Sequence, residues 1–297
     1  MKNIYLPADT KYLTNSGMKS LQDITENDLL GIITKEGELV YTKNFEVDRI
    51  KTDSLQLQTD GHYQTLLSTT NYEFNTFEKV FDEVDTEFPI VSFDGKDIES
   101  IPEDMCLFIA IFLNSYFKES HGKIISNGKG KDSTRFSLVK YLYSNYSLFF
   151  PYDRVAKLYT CPNTDLFLDN DKLELVLTRN IELIPNIAKI CKDTHLAYTK
   201  AFSKMLFNSY KVANIFQVGL ALCGYKTRLT FNNTEKMFEI TYTNLEYLLN
   251  HKYDLDSTLS VLNEPVEACS IITDILGKLI ISQNIDKNTT VSLVDIS

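Results

Sequence analysis

Apolar positions are spaced in two different ways along this chain. From residue 4 to 92 they fall in short runs: Lys11–Leu13, Leu29–Thr34, Glu38–Tyr41, Phe45–Ile50, Ser54–Gln58 and Tyr63–Ser68. Asn15-Ser16-Gly17, Glu36-Gly37 and Asp60-Gly61 interrupt them, and these are residue types that turn the backbone. Asp60-Gly61 stands between two alternating runs and predicts a hairpin. Many short strands at close spacing predict an all-β unit.

The middle of the chain reads differently. Glu78–Pro89 and Ser92–Pro102 form a crossing, after which Pro102-Glu103-Asp104 opens an apolar helix over Met105–Phe117 that ends in Asn114-Ser115. Ala201–Tyr210 ends in a matching Asn208-Ser209 and predicts a second helix of the same kind, hence an internal duplication. Around the first helix the pattern predicts a strand at Lys123–Ser126, a helix near Arg135–Tyr143, and strands near Val155–Thr160 and Leu173–Leu177. After the second it predicts a helix over Ala213–Cys223 capped by Gly224. Strands at Lys226–Phe231 and Met237–Tyr242, turned by Asn232-Asn233, follow it, and Leu245–Leu249 closes the unit. Beyond residue 252, β character returns at Cys269–Asp274 and Lys278–Ser282. The expected organisation is α+β: β segments at 1–98 and 253–297 flank a segment at 99–252 made of two αββα repeats, about 103–180 and 181–250.

Charge and composition narrow the chemistry. The net charge is −10, yet residues 101–250 carry 18 Lys and Arg against 14 Asp and Glu, leaving 12 against 26 for the rest. The mildly basic middle and the acidic flanks therefore have different electrostatic characters. Five cysteines and four histidines are scattered without CxxC or Cys/His spacing, so no disulfide framework, metal site or cofactor is expected. Nucleotide-binding glycine motifs and the common hydrolase motifs are absent. The run Cys106–Leu113 is too short to span a bilayer and MKNIYLPADT lacks an apolar signal core, so the expectation is a soluble intracellular protein without a membrane partner.

The β segments resemble a Hint domain, the fold of inteins and hedgehog autoprocessing domains. The resemblance lies in Leu6-Pro7-Ala8-Asp9-Thr10, Thr14, Gly17, Lys19, Leu21-Gln22-Asp23-Ile24 and Asn27-Asp28. It implies a split all-β domain and places Tyr5 where the family has its Cys or Ser nucleophile. A phenol cannot perform the acyl shift, which needs oxygen or sulfur on the β-carbon. Asn27 stands in place of the usual Gly. Leu66-Leu67-Ser68-Thr69-Thr70-Asn71-Tyr72 aligns with the family's Thr-x-x-His, with Tyr72 at the His, and a phenol does not exchange protons near neutral pH as imidazole does. At the C-terminal end, Ile285-Asp286-Lys287-Asn288-Thr289 keeps the Asn that would cyclise, but Lys287 replaces its His.

The middle resembles a LAGLIDADG homing endonuclease, through IFLNSYF and above all IFQVGLALCGYKTRL. The resemblance implies that an acid from each paired helix holds Mg²⁺ for phosphodiester cleavage. Those positions are Asn114 and either Asn208 or Tyr210, and Ser115 replaces the usual Gly. Asn lacks the negative charge that two-metal clamping requires.

Both resemblances thus predict scaffolds without their chemistry, and no catalytic residue is expected. Four residues precede Tyr5 and about nine follow Asn288, so the chain reads as a free-standing product. The leading expectation is a domesticated, non-catalytic relic that serves as a structural or protein-binding component. By analogy with where such inteins occur, the assembly would be a phage particle and the location a virion. The alternative is a duplex-DNA binder using Lys123, Lys129, Lys131, Arg135, Lys226 and Arg228. A third reading is an active nuclease that has recruited an acid such as Glu119.

Overall fold

The computed structural model describes residues 4–60, 64–69, 117–120, 123–126, 152–153, 158–159, 170–184, 203–244, 257–262, 265–285 and 287–296. These residues are mostly β-sheet with few helices, an α+β composition. Among them no helix is long and apolar enough to cross a membrane.

Six of the eight described N-terminal strands overlap the expected runs, whereas those at Leu6–Pro7 and Gly17–Ser20 form outside them. The eight are β1 (Leu6–Pro7), β2 (Lys11–Thr14), β3 (Gly17–Ser20), β4 (Leu30–Thr34), β5 (Leu39–Thr42), β6 (Phe45–Thr52), β7 (Leu55–Asp60) and β8 (Gln64–Ser68). Asn15-Ser16 turns β2 into β3, with Thr14 opposite Gly17. β7 and β8 pair as the Asp60-Gly61 hairpin requires, closing at Asp60 opposite Gln64; the turn itself lies outside the described residues.

In the middle, β9 (Phe117–Ser120) and β10 (Lys123–Ser126) form an antiparallel pair, and β11 (Tyr152–Asp153) pairs with β12 (Leu158–Tyr159). Phe117 therefore begins a strand instead of ending a helix; the rest of the expected helix lies outside the described residues, as does Arg135–Tyr143. The expected strand at Leu173–Leu177 is part of helix α1 (Asn170–Arg179). Leu173 and Leu177, both buried, are four apart on one helical face, and Asp171 and Arg179 sit at the ends the helix dipole favours. A 3-10 turn, Ile181–Leu183, follows.

The largest correction concerns Ala201–Tyr210, which does not form the second apolar helix. Ser203–Phe207 is strand β13, and helix α2 begins only at Tyr210 and runs to Leu222. Met205 and Phe207 point inward with period two, while Lys204 pairs outward with Glu239. Ser209 then caps α2 by accepting from the Val212 N–H. Gly224, at φ +84, ends the helix as expected, in the left-handed conformation that glycine adopts without a Cβ clash. Strands β14 (Tyr225–Asn232) and β15 (Met237–Asn244) form the hairpin turned at Asn232-Asn233. The last four strands are β16 (Ser257–Leu262), β17 (Val266–Thr273), β18 (Gly277–Ile285) and β19 (Asn288–Ile296).

Nine strands join in one sheet, in the order β13-β15-β14-β19-β18-β2-β4-β5, with β3 on β2. β1-β17-β6 and β16-β7-β8 form two further sheets. Leu6, Tyr12, Leu30, Ile32, Leu66, Ile271, Leu279, Ile281 and Val294 come from all three sheets and make one core. Helix α2 is buried from Val212 to Leu222, with Phe216 against Phe207 at 5.1 Å between ring centroids. A Cβ on Gly219 would stand 2.6 Å from Ile184, so α2 approaches the end of the 3-10 turn closely only because that position is glycine. Asn214 and Gln217 interrupt its apolar surface; they bond Ser282 and the Thr289 carbonyl, fixing α2 on the β18–β19 hairpin.

Candidate functional site

Leu6 and Pro7 pair with Cys269 and Ala268 of β17, and this pairing holds the segment entering them in place. The Tyr5 N–H donates to Thr69 Oγ1 at 3.4 Å, and the Thr69 N–H donates to the Tyr5 carbonyl at 3.0 Å. Tyr5 and Thr69, 64 residues apart, are thus joined by two hydrogen bonds. The phenol leaves this junction and donates to Asp48 Oδ2 at 2.6 Å. Leu6 faces Cys269, whose thiol is buried and is pushed up by that burial, so it is held as the weakly nucleophilic thiol.

A buried amide organises the neighbouring backbone. Gln283 on β18 donates through Nε2 to Thr10 Oγ1 and to the Leu67 carbonyl, each at 3.0 Å, and accepts the Leu67 N–H at 2.9 Å. One side chain therefore ties the turn after β1 to β8 and β18. Nothing in the local sequence marks Gln283 or Asp48 for these roles, because both depend on long-range pairing.

Lys287 and Asn288 lie at the β18–β19 turn. Lys287 occupies the left-handed region at φ 67, and Asn288 begins β19 opposite Ile285. The Asn288 Oδ1 accepts from Arg228 Nε at 2.9 Å. The backbone beyond Asn288 stays in the sheet: β19 pairs with β18 from Asn288 to Ile296 and meets β14 at Leu229–Thr289 and Thr230–Asn288.

Asn208 lies exposed in the two-residue link before α2, with Tyr210 as that helix's first residue. The Tyr210 hydroxyl lies 3.2 Å from Asn284 Oδ1 and 3.3 Å from Thr289 Oγ1, and Lys11 Nζ stands 4.5 Å from the centre of its ring. Asn114, Ser115 and Tyr72 lie outside the described residues. Among those described, no three His, Cys, Asp or Glu side chains cluster to hold a metal.

The candidate DNA-contacting cations are placed as follows. Lys123 is on β10, and Glu119 lies opposite Ile124 on the paired strand. Lys129, Lys131 and Arg135 lie outside the described residues. Lys226 is only 3% exposed, and half-buried Arg228 is engaged by Asn288. The buried Lys226 does not offer the open cation that a phosphate contact needs. On the same hairpin Glu239 takes Lys204 at 2.7 Å and Asn232 at 2.8 Å. Burial works against its ionisation, but these donors outweigh it and hold the carboxyl below its usual range.

A second polar centre gathers on Asp28. The Asp28 carboxylate, 6% exposed, accepts from Lys19 Nζ at 2.8 and 3.0 Å, the Thr25 N–H at 2.7 Å, Thr25 Oγ1 at 2.8 Å and the Ser16 hydroxyl. It closes the loop between β3 and β4 onto the β2–β3 turn. Among the described residues this arrangement ties backbone segments together. No known protein family and no characterised protein matches this chain.

Proposed function

We propose that this chain is a non-catalytic, domesticated relic of an intein-like protein that serves as a structural or protein-binding component of a larger assembly. The observation that carries this reading is Tyr5. At the position aligned with a splicing nucleophile, the backbone is tied to Thr69 and the side chain is a phenol bound to Asp48, with no oxygen or sulfur on its β-carbon. The strand after Asn288 supports the same reading, since it lies inside the nine-stranded sheet between β14 and β18, and excising it would open the sheet. A fold can outlast the chemistry of its site. The nucleic-acid alternative is weakened by the burial of Lys226.

The test is to isolate the chain from its source under native conditions and measure its stoichiometry in whatever sediments with it. A fixed ratio to other proteins in a defined particle, a phage particle among them, is expected. A solitary monomer, or duplex DNA bound tightly with a steep salt dependence, overturns the reading.

A further inference from the structure

Residues from two distant parts of the chain enclose a cleft between the β4–β5 hairpin and the C-terminal end of α1. Its volume is about 570 Å³, and Asn15, Gly37–Leu39, Tyr41, Thr178, Arg179, Ile181 and Glu182 contribute to its lining. Leu39 and the buried Ile181 provide apolar wall. Tyr41 stands half-buried in it, and burial first, then the Glu182 charge, pushes its hydroxyl up to about 12. The Glu182 carboxylate therefore acts on the same space as the phenol. Glu38, Arg179 and Glu182 are exposed around the cleft, and none of the three has an ion-pair partner among the described residues. Gly37, at φ +85, leaves the mouth open, with no atom within 4 Å of where a Cβ would be.

We infer that this cleft docks a lysine or arginine side chain of a protein partner. The inference rests on the proposed role as a binding component and names what one of its surfaces recognises. Two carboxylates against one guanidinium leave the cleft negative, on a chain of net charge −10. A basic side chain lays its aliphatic stem along Leu39 and Ile181 and brings its charge to Glu38 and Glu182 beside the Tyr41 ring. Arg179 then meets a carbonyl or carboxylate next to that residue on the partner. An apolar occupant would desolvate three charges without pairing any of them, and an anionic one would meet two carboxylates for one guanidinium. A polypeptide segment with a basic side chain satisfies all three charges together.

The test uses the full chain and four probes: acetyl-lysine amide, acetyl-arginine amide, acetyl-norleucine amide as the uncharged isostere, and acetyl-glutamate amide. Saturable binding is read from amide shifts of the residues around the cleft. The cationic probes are expected to bind and the other two not. Glu38→Gln and Glu182→Gln, both at exposed positions, are each expected to weaken binding about two- to fivefold, the scale of solvent-exposed ion pairs. Norleucine binding as well as lysine, affinity unmoved by either Gln variant, or no saturable binding by the cationic probes overturns the inference. The wider reading fails separately, through the stoichiometry measurement: an assembly that forms equally well with both Gln variants spares that reading and removes this docking site.

Discussion

Asp28→Asn should destabilise this protein severely, although the substitution changes one atom of a loop residue. Asp28 accepts from four donor groups and is almost fully buried, so its ionised form is built into the fold. Burial alone would raise its pKa; Lys19, Ser16 and Thr25 outweigh it and hold the carboxyl far below the ordinary carboxylate range. The neutral amide keeps the shape but turns an acceptor into a donor facing donors, and it leaves the Lys19 ammonium, itself about a quarter exposed, without its counter-charge. Removing one member of a buried pair costs about 3–5 kcal/mol. With Lys19 partly solvated, the lower end, about 3 kcal/mol, is expected.

The sign of the pH dependence follows from the depressed pKa. The unfolded chain binds a proton at Asp28 near the ordinary value of about 3.9, whereas the folded chain resists protonation until far lower pH. The contribution is therefore complete above the ordinary value and is lost as pH falls toward the folded value. Urea unfolding followed by far-UV circular dichroism at pH 7, and again in steps down to pH 3, measures both effects. The gap between wild type and Asp28→Asn should be largest at neutral pH and should narrow on acidification. A variant within about 0.5 kcal/mol of wild type at pH 7, the ordinary range for surface changes, or a gap that widens with acid, refutes the reasoning.

Three further perturbations probe the same framework. Gly17→Ala places a methyl group 2.5 Å from Glu174 Oε1 at φ +118, so it should cost about 1–3 kcal/mol and loosen α1, read as faster amide exchange over residues 170–179. Gln217→Leu removes the donor to the Thr289 carbonyl inside the α2 contact; a loss of about 1–3 kcal/mol in unfolding free energy, read as a lower urea midpoint, is expected, and an unchanged midpoint would mean the bond does not hold α2 to the hairpin. Tyr5→Phe deletes the bond to Asp48 and should cost about 1 kcal/mol in urea unfolding, and the variant chain should stay uncleaved when its intact mass is measured.

Local order was legible where one physical cause dominated. Six of the N-terminal strands, the Asn15-Ser16 and Asn232-Asn233 turns and the Gly224 cap follow from alternation and turn chemistry, whereas β1 and β3 do not. Residues 203–207 were misread because the apolar density of AFSKMLF and its Asn-Ser ending outweighed a five-residue alternation. Leu173–Leu177 was misread for the opposite reason: LELVL is a short, mostly apolar run that suits a strand, yet the helix forms because Leu173 and Leu177 also share a helical face and the flanking charges suit its ends. Gln283 and Asp48 act through partners chosen by tertiary pairing, which local pattern does not encode, whereas the partners of Asp28 lie within 12 residues of it. The burial of Lys226 was hidden likewise, since strand alternation assigns a face but not what covers it.

The central claim is that the scaffold persists without its ancestral chemistry. Its most direct test is the intact mass of the purified chain after prolonged incubation, with and without added thiol. A single species at 34.1 kDa under both conditions is the predicted result. Fragments with new ends at Tyr5 or after Asn288 would show that the backbone is still being cut there, and would contradict the account.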